Sequence, residues 1–141
     1  MAALSTLTAC SSPTQPISEK GAPSPAAAAE ITVMARHDSL MAKMETLYLL
    51  KSKITAAHTP TAGPYLRGLA AADAAMMDWM HHYRAPDSTA TPAARLAYFQ
   101  QQQQVLGRVS QQFRATMDSA SLLLSRLPAA PSSGNAPSPS K

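Results

Sequence analysis

Twelve residues, Ala75 to Pro86 (AMMDWMHHYRAP), place three methionines, the only tryptophan and two adjacent histidines within about three helical turns. Thioether sulfur and imidazole nitrogen are soft ligands that together suit Cu(I). Upstream, His37, Met41 and Met44 repeat this chemistry at helical spacing. A helical hairpin turning near Thr61 brings Met41 and Met44 level with Met77, Met80 and His81. His37, Met41, Met44, Met77, Met80 and His81 are thus the candidate ligands of a copper(I) site. A plainer reading competes with that one. Methionine fills irregular gaps between helices and packs well against rings such as Tyr48, Trp79 and Tyr83. A methionine stripe at helical spacing serves a core more often than a metal, so the first reading has no cofactor. Neither HExxH nor paired CxxC points to zinc.

Catalytic patterns are absent from the chain. There is no GxSxG and no phosphate-cradling glycine cluster, glycine occurring only at 21, 63, 68, 107 and 134. Asp73 and Asp78 stand five apart on different faces of one helix and cannot divide general acid from general base. His37 and Asp38 are adjacent, which points their side chains about 100° apart. The expectation is a protein that is not an enzyme and takes no small-molecule substrate.

A different chemistry resides in the N-terminal tail. Leu7-Thr8-Ala9-Cys10 resembles a bacterial lipobox, in which small residues precede the cut and the cysteine thiol takes the lipid. A mature lipoprotein of that kind carries several acyl chains, enough for stable anchoring where one is marginal. Residues 1–9 carry no positive start and only a short apolar run, so they read as a truncated signal-peptide remnant. Cys10 is the only cysteine and cannot form an internal disulfide. No run reaches the roughly 20 apolar residues of a membrane-spanning helix.

The elements that position these groups are marked by proline. The twelve prolines leave three long free segments, roughly 26–59, 65–85 and 93–127, and a helix interior tolerates proline badly. Three helices follow, long, short and long: an antiparallel hairpin plus a third helix that starts with Thr91 as cap and Pro92 in first position. The flanking Pro/Ser/Gly/Ala stretches bury too little to offset the entropy of ordering. The expected organisation is a signal remnant at 1–9, a lipidated disordered tether at 10–27, a helical bundle at 28–127 and a disordered tail at 128–141.

Faces of these helices suggest where polar groups meet. Val33, Leu40, Leu47 and Ile54 recur every seven residues, and His37 falls within the same apolar stripe. Asp73 lies among the methionines of the second helix, where a carboxylate needs a partner. The hairpin register offers Lys51 and Tyr48, so these three form the expected buried polar group. Asp78 and His82, four apart, make an exposed pair. Gln100 to Gln104 read as a solvated helix stretch. The second helix is the shortest, so Leu122, Leu123, Leu124 and Leu127 read as an overhang and a candidate interface. The net charge of +4 is dispersed singly along the chain, which argues against nucleic acid as a partner.

HDSLMAKM at 37–44 and DAAMMDWMHHY at 73–83 together follow the pattern HDxxMxKM … MMxWMxxY. In this the chain resembles a group of small bacterial envelope lipoproteins that automated labels call viral A-type inclusion proteins. The resemblance implies a lipid anchor, a tether and an all-helical body at the cell envelope, facing the periplasm or exterior. It implies no chemistry. The expected function is a non-enzymatic, membrane-anchored helical module that binds a protein partner or itself, with a periplasmic copper(I)-binding lipoprotein as the alternative.

Overall fold

Ser24 and Thr91 start the two long helices in the same way. The Ala27 N–H donates to Ser24 Oγ at 3.3 Å and the Ala94 N–H to Thr91 Oγ1 at 3.2 Å, with proline next in each chain. Proline at that position loses nothing, because the first N–H groups of a helix have no acceptor within it. In the computed structural model, which describes residues 21–128, the elements are α1 (Pro25–Ala56), α2 (Ala62–His82) and α3 (Pro92–Arg126). They form an all-α three-helix bundle, and among the described residues there is no strand. Residues 1–20 and 129–141, with Cys10, the first part of the expected tether and nearly all of the expected C-terminal tail, lie outside the described residues.

Two boundaries differ from expectation for local reasons. Helix α1 begins at Pro25, inside the expected tether, because Ser24 supplies a cap. Helix α2 begins at Ala62 instead of Tyr65, with Pro64 as its third residue. Proline fits there because that N–H also lacks an intrahelical acceptor. The turn between α1 and α2 holds His58 at φ 46, a left-handed conformation just past the helix end where glycine is favoured.

Side-chain bonds set the helix directions. Gln103 Nε2 donates to the Ala29 carbonyl at 3.0 Å, and Arg36 Nη1 donates to the Gln103 carbonyl at 2.8 Å. Arg95 meets Glu30 a little earlier on both helices, so α1 and α3 run parallel. Trp79 meets Gln102 and Gly68 meets Thr116, so α2 runs antiparallel to α3. Gly68 permits that approach, since a Cβ there would stand 3.1 Å from the Thr116 methyl. Phe99, Phe113, Leu40, Leu47, Ile54, Leu69, Met76 and Leu106 are fully buried between the helices. Side chains of this size each contribute about 1.5–3 kcal/mol on burial.

The parallel stagger removes most of the expected C-terminal overhang. It carries the end of α1, with Leu50 and Ile54, alongside the last turns of α3. Leu123 is accordingly buried and Leu124 packs on the core, while Leu127 is half-buried. Leu122 alone of the four stays open, at 50 % exposure.

Candidate functional site

The seam between α1 and α2 holds the residues singled out by their chemistry. Tyr48 donates its hydroxyl to Asp73 Oδ1 at 3.0 Å, which fixes the two helices level at that point. The pair is not buried as expected. Tyr48 is 47 % exposed, Asp73 is half-buried, and no described polar or charged side chain is fully buried. Lys51 forms no ion pair with Asp73; it lines a surface hollow with Tyr48, Ser52, Thr55, Ala56 and His58. The seam stays open because each of these helices turns its best apolar face toward α3. The bond to Asp73 raises the Tyr48 phenol above its ordinary 10.0, since ionisation would remove the donated proton beside a carboxylate.

Methionines occupy this seam at two depths. Met44 and Met76 are buried and Met80 packs on the core, whereas Met41 and Met77 stand 38 % and 40 % exposed, with Met34 at 39 % farther along α1. His81 is exposed, so the six candidate ligands span core, seam and solvent. Among the described residues no three His, Cys, Asp or Glu side chains converge as a metal site.

His37 has a packing role. Its ring lies 5.6 Å from Trp79, which stacks 4.8 Å from Tyr83, which lies 6.0 Å from Tyr98, itself 5.6 Å from Phe99. These five rings tie α1 to α2 and α2 to α3 at one end of the bundle. Aromatic pairs of this kind contribute about 0.5–1.5 kcal/mol beyond area burial. Contrary to the wheel argument, His37 also bonds its neighbour, Nδ1 meeting Asp38 Oδ1 at 2.9 Å. Neighbouring side chains leave the backbone about 100° apart, yet both are long enough to curl together. His82 pairs instead with Asp78 at 3.2 Å on the solvent side.

No protein-family profile, curated protein or solved structure matches this chain. Function is therefore argued from the geometry of the site. Two features of that geometry have only faint sequence signals. The first is the glutamine run, which is not uniformly solvated. Gln102 Oε1 accepts from Trp79 Nε1 at 2.9 Å while Gln103 reaches Ala29, so consecutive residues of α3 bridge to α2 and to α1. The second is charge. Arg36 lies on the α3 flank of α1, and Arg36, Arg108 and Arg114 line adjoining hollows of about 500 Å³ there with no carboxylate among the lining residues. Asp38 and Glu45 are exposed on α1 next to the methionine positions, while Glu30 meets Arg95 of α3 at 3.3 Å. Three arginines thus gather along the α1/α3 face, while Lys51 lies beside Tyr48.

Proposed function

We propose that this protein is a non-enzymatic, membrane-anchored docking module of a bacterial cell envelope. In this reading acylated Cys10 holds the chain at the membrane, and the bundle presents the α1/α2 seam to one apolar face of a partner protein's helix. The carrying observation is the exposure of Met34, Met41, Tyr48 and Met77 along one seam. Methionine is flexible and polarisable and suits a surface that must adapt to another helix. The lipobox-like Leu7–Cys10 and the resemblance to envelope lipoproteins support the location.

Two measurements test this. Cells carrying the gene with a complete signal are labelled with a fatty-acid analogue; a labelled, membrane-bound product that loses both properties in Cys10→Ala is expected, and an unlabelled soluble product ends the anchor reading. Photo-crosslinking from methionine positions is expected to trap a protein that is lost in Met41→Asp, Met77→Asp. Crosslinks indifferent to those changes refute the seam.

A second reading, copper(I) binding, is favoured by one specific contact. In the tautomer that carries its proton on Nδ1, His37 donates to Asp38 Oδ1 and keeps a lone pair on Nε2, the carboxylate–histidine arrangement common behind metal ligands. His37, Met41, Met44, Met77, Met80 and His81 remain the residues that would supply the donors.

A further inference from the structure

The docking surface carries a charge pattern that restricts its occupant. Met34, Met41 and Tyr48 recur every seven residues on α1 and form one line along the seam, about 21 Å from end to end. Asp38 and Glu45 stand one step outside that line, both exposed, and Asp73 sits within the seam. Glu30 lies at one end, engaged by Arg95 at 3.3 Å, and Lys51 at the other is the one basic residue of α1 near the line. Across from the line, α2 offers exposed Ala70 and Ala74 beside Met77, small side chains that let another backbone come close.

Resting on the docking reading above, we infer that the seam takes a cationic amphipathic helix of about four turns, its apolar face on Met34, Met41, Tyr48 and Met77 and its Lys/Arg residues toward Asp38, Glu45 and Asp73. The length follows from the 21 Å line at about 1.5 Å per residue. Charge complementarity distinguishes this occupant from a second copy of the chain. Docking α1/α2 against itself would set Asp38, Glu45 and Asp73 of one copy against those of the other, which like-charge repulsion disfavours. Of the basic residues of this chain's own α1, Arg36 reaches toward α3, away from such a contact, and Lys51 stands only at the end of the line.

The test uses the full chain with isotope-labelled methionine methyl groups and a designed 18-residue Leu/Lys amphipathic peptide. Its Leu/Glu counterpart, of identical apolar face, serves as the comparison. Binding of the Lys peptide should shift the Met34, Met41 and Met77 methyl signals, with the Glu peptide weaker by at least about tenfold. The isosteric triple variant Asp38→Asn, Glu45→Gln, Asp73→Asn should weaken the Lys peptide by about tenfold and flatten its salt dependence. Equal binding of the two peptides, with the same methyl shifts, overturns the cationic assignment while leaving the docking surface standing. No methyl shift with either peptide overturns the docking surface itself. Concentration-dependent methyl shifts without peptide identify a second copy as the occupant and overturn the inference.

Discussion

Gln102→Ala isolates one bond that joins α2 to α3. Trp79 is 5 % exposed and donates Nε1–H to Gln102 Oε1 at 2.9 Å in a part-buried setting. Removing the acceptor leaves the indole N–H without its partner. An orphaned buried donor costs about 1–3 kcal/mol, and partial solvent access places this one in the lower half, at about 1–2 kcal/mol. Alanine is a slightly better helix former than glutamine, by a few tenths of a kcal/mol, which offsets some of the loss. Gln101→Ala corrects for that, because Gln101 is exposed on the same helix and gains the same propensity. The difference between the two variants, read by urea unfolding with circular dichroism at 222 nm, is the quantity of interest. For about 100 residues a loss of 1 kcal/mol lowers Tm by about 4–8 °C. On a Trp79→Phe background the donor is gone, and Gln102→Ala should then cost under about 0.5 kcal/mol, closing a double-mutant cycle. If Gln102→Ala and Gln101→Ala coincide within about 0.5 kcal/mol on the wild-type background, within ordinary surface scatter, the bond contributes nothing and the tie between α2 and α3 is apolar packing alone.

Three further outcomes are expected. His58→Gly relieves a left-handed φ of 46 and should stabilise by about 0.5–1 kcal/mol by thermal melt, the gain being limited by the added backbone entropy of glycine; a destabilised variant would contradict it. Tyr48 should ionise above its ordinary 10.0 by absorbance at 295 nm and move downward in Asp73→Asn. Because the folded value is the higher one, its contribution to stability is complete below pH 10 and declines as pH rises through that folded value. Met41→Leu with Met80→Leu should keep stability within about 1.5 kcal/mol, since leucine conserves volume. Cu(I) titration of that variant decides the second reading: tight one-per-chain binding in the wild type, lost by orders of magnitude in the variant, establishes it, and weak uptake unchanged by the substitution removes it.

Proline spacing makes the three helices legible in the sequence, because proline is confined to helix first turns and connections. A hairpin centred near Thr61 likewise places Tyr48 level with Asp73, and their hydroxyl and carboxylate meet at 3.0 Å. Other features depend on the third helix. Whether α3 lies beside α1 in parallel, and with what stagger, shows in Arg95–Glu30 and Arg36–Gln103, bonds between residues 65 and 67 positions apart. Periodicity within one helix carries no signal of them. The overhang expectation holds here only for Leu122, and within Gln100–Gln104 the side chains of Gln102 and Gln103 are tied to other helices. Asp73 was placed at the correct level but at the wrong depth. A helical wheel identifies which side chains face a neighbour, but the seam's openness depends on how firmly each helix also packs on α3.

The twelve residues from Ala75 to Pro86 therefore divide their work along the helix. Met76 and Trp79 face inward and Trp79 begins the ring contacts that reach Phe99, so this part builds the core. Met77 and Met80 face the seam, where one is exposed and the other half-buried. Asp78 and His82 pair on the solvent side. Methionines that only filled a core would have no reason to stand open at Met34 and Met41 of α1 and Met77 of α2, because leucine or alanine at exposed positions would serve either helix as well. What thioethers add there is adaptability to a second surface or affinity for a soft ion. Asp38 bears on both possibilities, since one oxygen holds His37 while the carboxylate remains largely exposed beside the methionine line. Its charge favours a cationic helix on that line, and its bond to His37 is what the copper reading needs. Replacing the methionines with leucine separates them, since an apolar docking face survives that change and a set of sulfur ligands does not.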